Sequence, residues 1–479
     1  MAERIETASV NLWGERLGAV SWHPDGYGVF EYDPGFVQRG LDLSPIQMSI
    51  YGGNRLFSFP GLNRETYKGL PGLLADSLPD KFGNAIIDAW LARQGRTPGD
   101  FSPIERLCYT GNRGMGALEF QPAVDGRFRE SAPVEIAELV QLAQSVTHRQ
   151  QSLASNIGGG DDSAGALGDI LRVGTSAGGA RAKAVIAMNG TGDVRSGQVP
   201  APAGYDYWLL KFDGVDDIEL GRSQGFGRIE YAYYLMALAA GIGMMESRLL
   251  EENGRAHFMT RRFDRTDSGK LHMLSMCGMA HLDFNQAGAH AYEQIFAVMR
   301  ELHLPKSEAI QQYHRLVFNV LARNQDDHTK NVAFLMDRGG NWSLSPAFDL
   351  TYAHNPGGQW TNRHQMSING KRDHFELEDL LAVGRSISIK KPQEIVAEVA
   401  AAVARWPEFA GRAGWQNPWS MKSPGIIDGC CRSPGLLWQT CAAKLLSDIV
   451  GGDGAGGRPV HGRIGAAHRN MDHSVGLLQ

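Results

Sequence analysis

The stretch VFNVLARNQDDHTKNVAFLMDRGGNWSLSPAFDL, Val317 to Leu350, decides how the rest of the chain is read. It opens with apolar residues at helical spacing (Val317, Phe318, Val320, Leu321) and breaks into the polar run Asn324 to Asn331. A short strand, Val332 to Leu335, a Gly-Gly turn and a return strand, Trp342 to Leu344, then predict a hairpin with Asp349 just beyond it. Such a hairpin brings its ends together, so Asp326, Asn331 and Asp349 are expected to converge. Oxygen ligands meeting in this way suit a hard cation such as Mg²⁺, and a carboxylate left off the metal is free to accept a proton.

Protein kinases use this arrangement: a base Asp, an Asn five positions later, and a second metal-binding Asp after a strand pair. Asp326 and Asn331 have that spacing, although Asp349 is followed by Leu350-Thr351 instead of Phe-Gly. An isolated Asp-x4-Asn is ordinarily a capped, solvated loop, so the weight rests on the whole set. A metal-dependent hydrolase built on Asp326, Asp327, His328 and Asp349 is the competing chemistry.

Working outward, Gly-rich Ser152 to Asp169 reads as a connection between domains. Ile170 to Met188 reads as strand, small-residue loop, strand, in which Gly178 and Gly179 let backbone N–H groups approach phosphate while Arg181 and Lys183 add charge. Tyr207 to Phe212 is an apolar strand interrupted by Lys211, which either snorkels to an edge or neutralises an anion. Glu230 near the start of the next helix is a candidate partner for Lys211, or a first-turn residue answering the helix dipole. Leu249–Glu251 and His257–Thr260 predict a strand pair around Gly254, running into Arg261-Arg262-Phe263-Asp264-Arg265.

Towards the N-terminus, Leu12 to Val37 predicts an antiparallel meander. Within LPGLLADSLPDKFG (Leu70 to Gly83), Asp80 is placed to cap a helix through Trp90. Helices are expected at Pro103–Tyr109, Pro133–Arg149, Ala291–Leu302, Ser307–Arg323 and Glu394–Trp406. From Gly411 the chain has no Glu, is dense in Gly, and holds three of the five cysteines (Cys430, Cys431, Cys441). This tail is expected to be partly disordered, with one helix at Leu436–Val450.

A 479-residue chain that is 43% hydrophobic and 21% charged has ample material for a core and for more than one domain. Its net charge of -5 argues against a broad basic nucleic-acid face. The cysteine count and spacing suit neither a disulfide framework nor a zinc site. The opening MAERIETASV lacks a signal-peptide core and no apolar run reaches membrane-spanning length, so a cytoplasmic location without membrane contact is expected.

Taken in order, the Gly-rich hairpin, Lys211, Arg262-Phe263-Asp264-Arg265, the Asp326–Asn331 cluster and Asp349, with LPGLLADSLPDKFG and GMGALEFQP upstream, resemble the HipA family of bacterial serine/threonine kinase toxins of type II toxin–antitoxin systems. The resemblance runs from about Leu12 to about Phe409, and the tail from Gly411 departs from the family's closing helices. It implies an α+β, protein-kinase-like fold with an N-terminal antiparallel β subdomain and a mainly helical C-terminal lobe. The divisions implied are 1–150 for an N-terminal β-rich and helical subdomain, 151–265 for the nucleotide-binding lobe, 266–410 for the catalytic lobe and 411–479 for the tail.

The same resemblance implies ATP and Mg²⁺ as cofactors and gives each residue a role. Asp326 is then the base, and Asn331 and Asp349 the metal ligands. Gly178, Gly179, Ala180, Arg181, Lys183, Lys211, Met259, Arg261, His328 and Lys330 are the ATP contacts, with Glu230 as the ion-pair partner. Arg261 stands where some members carry an acid. Ser176 occupies the place of the serine that members autophosphorylate, which would eject the phosphate loop by like-charge repulsion. The implied partners are a HipB-like DNA-binding antitoxin and a protein substrate, an aminoacyl-tRNA synthetase, with DNA met only through the antitoxin. A co-repressor of weak or absent activity, working as a binding partner of that antitoxin, is the alternative.

Overall fold

The computed structural model describes residues 5–93, 95–123, 131–153, 181–215 and 225–415. The chain begins with strands β1 (Thr7–Leu12), β2 (Glu15–His23) and β3 (Tyr27–Tyr32). Alternation puts Ala8, Val10, Leu12, Val20, Phe30 and Tyr32 on the buried face. Trp13 and Gly14, both at positive φ (52° and 84°), close the first turn as a right-twisted hairpin requires. The meander stops earlier than the sequence suggests. Asp33 caps a helical turn at Pro34–Val37 through Gly35 N (2.8 Å), since Asp-Pro favours helix initiation over a continuing strand. With β4 (Leu56–Phe57) and β5 (Leu118–Gln121), these strands form a five-stranded antiparallel sheet in the order β4-β3-β2-β1-β5.

A second five-stranded antiparallel sheet is ordered β7-β6-β8-β10-β9. Its strands are β6 (Lys183–Asn189), β7 (Val194–Ser196), β8 (Tyr205–Lys211), β9 (Ser247–Glu252) and β10 (Arg255–Arg261). Two helices from the N-terminal part, Lys81–Arg93 and Ile136–Leu153, cover it. Phe82, Ile86, Leu139 and Val140 join Ile186, Trp208, Leu210 and Met259 in a core of their own. A larger core joins the first sheet to the helical lobe, through residues such as Phe30, Tyr233, Phe318 and Phe409.

Between Ser275 and Arg412 the chain is mainly helical. Helix Lys306–Leu321 packs on Pro392–Ala404 and delivers the chain to the polar run, as its apolar spacing predicts. The expected hairpin forms from Ala333–Met336 and Trp342–Leu344, with His272–Ser275 on its other edge.

The first sheet is fastened to the rest by polar contacts. Asp264, fully buried, accepts from Arg262 (2.8 and 2.7 Å), Arg265 (2.6 Å) and Gly116 N (2.6 Å). Both arginines also donate to Gly114 O (3.2 and 3.1 Å). Burial alone would raise the Asp264 pKa, but the two guanidinium groups hold it well below the carboxylate range. Nearby, Asp76 accepts from Ser275 N and Oγ (both 2.7 Å). Gly72 sits so close to Gly278 O that a Cβ would lie 2.3 Å from it, which is why a glycine is needed at that crossing.

Candidate active site

The site is assembled around two buried lysines. Lys183 on β6 and Lys211 on β8 are register partners, only 4% and 9% exposed. Like charges placed opposite each other on a sheet are unfavourable, so this pair demands compensation. It comes from three acids on separate parts of the chain. Lys211 Nζ lies 2.5 Å from Glu230 Oε1, on helix Phe226–Ala239, and also bonds Asp349 Oδ1. Lys183 Nζ lies 3.1 Å from Asp80 Oδ2. Arg181 continues the alternation, 3.7 Å from Glu230 Oε2 and stacked over the Phe226 ring at 4.3 Å.

Burial would strip the Lys211 proton, but Asp349 and Glu230 outweigh it and raise its pKa. Burial likewise works to raise Asp349, yet Lys211 and Lys183 bring it down to about 2. Asp349 is therefore an anion at any physiological pH. Its backbone is left-handed (φ 55°), a conformation that Asp tolerates better than most residues.

Asn331 and Asp349 line one recess, together with His328, Asn324 and Phe348. The Asn331 amide donates to Asp326 O (2.8 Å), so its own oxygen remains an acceptor. Among the described residues no group of three or more His, Cys, Asp or Glu is arranged to hold a metal. One amide oxygen and one carboxylate fit a cation that keeps most of its waters and also takes phosphate oxygens, as Mg²⁺ does.

Asp326 is half-buried beside this recess. Desolvation raises its pKa, and the charges of Asp349 and Asp327 add to the rise; His328 and a hydrogen bond from Trp360 oppose it. The indole Nε1 donates to Asp326 Oδ1 at 2.6 Å, and His328 Nε2 lies 3.7 Å from the same oxygen. The Lys330 ammonium lies 5.2 Å from the Phe284 ring centre.

Asp327 has a different task. Oδ2 accepts from Tyr292 Oη (2.9 Å) and His364 Nδ1 (2.8 Å), and Oδ1 from Gln365 N (2.8 Å). With both oxygens engaged it is a brace for the loop, which removes a ligand from the competing hydrolase. Asn319 and Asn324 extend this network towards Asp349 O.

The side chains of two residues expected at the nucleotide are engaged within the fold. Met259 is fully buried in the smaller core, mid-strand between Leu210 and Arg248, so its side chain does not face a cleft. Arg261 points to Asp206 (2.5 Å), and its N–H bonds Glu246 O (2.9 Å). Ser176, Gly178, Gly179 and Ala180 lie outside the described residues. Two participants escaped the sequence reading. Asp80 does cap its helix, through Oδ1 to Gly83 N (2.6 Å), but its second oxygen serves Lys183. Nothing in the local sequence marked Trp360.

A five-stranded sheet, a buried lysine, a glutamate on the following helix and a polar loop before a strand pair make this a kinase-like fold. Residues 8–121 match the model of the HipA N-terminal domain and residues 175–406 that of the HipA-like C-terminal domain. The chain belongs to the HipA family. Among solved structures it is similar to the Shewanella oneidensis MR-1 toxin–antitoxin complex of HipA, HipB and operator DNA, with a TM-score of 0.61 at 15% identity, covering 93% of this chain and 97% of that one. A proinflammatory kinase of Helicobacter pylori, CtkA, gives a TM-score of 0.29 at 13% identity over 43% of this chain and 85% of that one, too low to establish a common fold. No curated protein matches in sequence. Among the described residues no helix is long and apolar enough to cross a membrane.

Proposed function

We propose that this chain is an ATP- and Mg²⁺-dependent serine/threonine protein kinase acting as a growth-inhibiting, cytoplasmic toxin. The observation that carries the reading is Lys211 held between Glu230 and Asp349, with Asn331 sharing a recess with Asp349 and donating to Asp326 O. Family membership supports it independently.

In the proposed reaction Asp326 accepts the proton of a substrate hydroxyl as that oxygen bonds the γ-phosphorus. The bond from this phosphorus to the bridging oxygen breaks, and ADP leaves. Lys211, positioned by Glu230, neutralises phosphate charge, and Lys183 adds to the positive field. Asn331 and Asp349 would hold Mg²⁺, which when bound would offset charge on the phosphate oxygens. Such catalysis is mainly positioning and charge stabilisation, which fixed ions supply.

A HipB-like, DNA-binding antitoxin is the proposed restraint, supported by the company the Shewanella protein keeps in its crystal. The net charge of -5 fits DNA held through such a partner. An aminoacyl-tRNA synthetase as substrate and Ser176 as the autophosphorylated residue complete the proposal. The test is transfer of labelled phosphate from Mg-ATP by the full chain, with mass spectrometry at Ser176. Asp326→Ala and Asp349→Ala should each reduce transfer by at least about a hundredfold. Undiminished labelling by either variant would refute the assignment.

A further inference from the structure

The segment after Asp349 returns over the catalytic loop and is bonded to it at successive residues. Gln325 N donates to Ala353 O (3.0 Å), and the Gln325 side chain meets His354 Nδ1 (2.5 Å). Asp327 takes His364 and the Gln365 N–H (both 2.8 Å). Gln365, 2% exposed, is the hub: its Nε2 donates to Gln325 O (3.2 Å) and to Trp360 O (2.6 Å). The residues on either side of Asp326 are thus anchored to the same segment that presents Trp360. The reach of the indole to Asp326 Oδ1 follows from this scaffold, not from a free side chain settling on the surface.

A carboxylate that is to take a proton from a hydroxyl must be held, or its two oxygens exchange by rotation. With Oδ1 occupied by the indole N–H, Oδ2 is the oxygen left to take a proton. We infer that Trp360 is a positioning residue for the proposed base, fixing the Asp326 carboxylate so that Oδ2 receives the hydroxyl proton. This rests on the kinase reading given above. The opposite role is a plug: an indole that occupies the base and must leave before substrate enters. The two roles predict changes of opposite sign.

The experiment measures kcat and the KM for ATP with labelled Mg-ATP and myelin basic protein as acceptor. It compares the full-length parent with Trp360→Phe, Asp326→Asn and the double variant. A second form carries a benzothiophene in place of the indole at 360, which keeps the ring and lacks the N–H. Trp360→Phe and the benzothiophene form should both lower kcat roughly tenfold, with the ATP KM within about twofold of the parent. In the Asp326→Asn background the same change should have no further effect, because a residue acting through another loses its influence when that one is gone. A rise in kcat, an unchanged kcat, or an equal loss in the Asp326→Asn background would each overturn the inference. Parental kcat in Asp326→Asn itself would instead overturn the kinase reading.

Discussion

The two five-stranded antiparallel sheets of this protein are alike in construction and opposite in what they bury. The first hides Val10, Val20, Phe30 and Tyr32, a face with no charge to satisfy. The second sets two lysines side by side in register and draws acids from three distant segments to tolerate them. Replacing such an ionic cluster with apolar residues of similar volume is often neutral or stabilising. A sheet that keeps one is therefore spending stability on something other than folding. The first sheet is a support, and the second carries the lysines of the proposed site.

The largest expected effect belongs to the support. Phe30 is fully buried, its ring edge-on to Tyr32 at 4.8 Å between centroids. Phe30→Ala should cost about 3–5 kcal/mol in guanidinium unfolding, while phosphate transfer per folded molecule stays at the parental value. A loss of transfer in the folded fraction would break the division between the sheets.

In the second sheet, Lys211→Met should reduce transfer by about a hundredfold or more. It should also change the pH dependence of stability. In the parent, Asp349 has its folded pKa depressed to about 2. Its contribution is present above the unfolded value near ~3.9 and is lost as pH falls through the folded one. Without Lys211 the burial that raises Asp349 is less opposed, so a raised carboxyl would make the variant relatively more stable near pH 5 than near pH 7. Thermal unfolding at the two pH values checks this. A deficit that does not shrink at pH 5 would show that Lys211 matters for packing more than for charge.

Asp80 tests whether the N-terminal part belongs to the active site. Asp80→Asn keeps a cap for the helix, since Asn serves there nearly as well, but removes the charge facing Lys183. The ATP KM should rise about tenfold with little change in melting temperature. An unchanged KM together with a lower melting temperature would return Asp80 to the structural side.

How much of this was legible follows from which interactions are local. The helix expected at Pro103–Tyr109, the hairpin after Asn331 and the helix Lys306–Leu321 were readable because propensity and periodicity act over a few residues. The HipA-like order of motifs pointed to the fold. What could not be read is what a residue does across the fold. Asp80 looked like a cap and is one, yet its contact to Lys183 reaches a strand far along the chain. Spacing to Asn331 set Asp326 apart from Asp327, but only the arrival of His364, Gln365 and Tyr292 shows Asp327 to be a brace. Met259 fell on the core side because strand alternation, without a known register, leaves the face undetermined.

Arg261 gives the smallest and most discriminating test. It stands at the end of β10, where the resemblance suggests an adenine contact, but its guanidinium is 41% exposed and paired with Asp206, itself 49% exposed. Its N–H is used by Glu246 O and the next one, on Arg262, by Tyr207 O. Exposed pairs of this kind contribute up to about 1 kcal/mol and weaken with salt. Arg261→Ala should thus leave the melting temperature within about two degrees and the ATP KM within about twofold, the small residual effect fading at high salt. A tenfold rise in KM that persists in salt would instead mean that this side chain leaves Asp206 to reach the base when nucleotide is bound. The exposed end of β10 would then share the nucleotide-binding work proposed for the buried lysines.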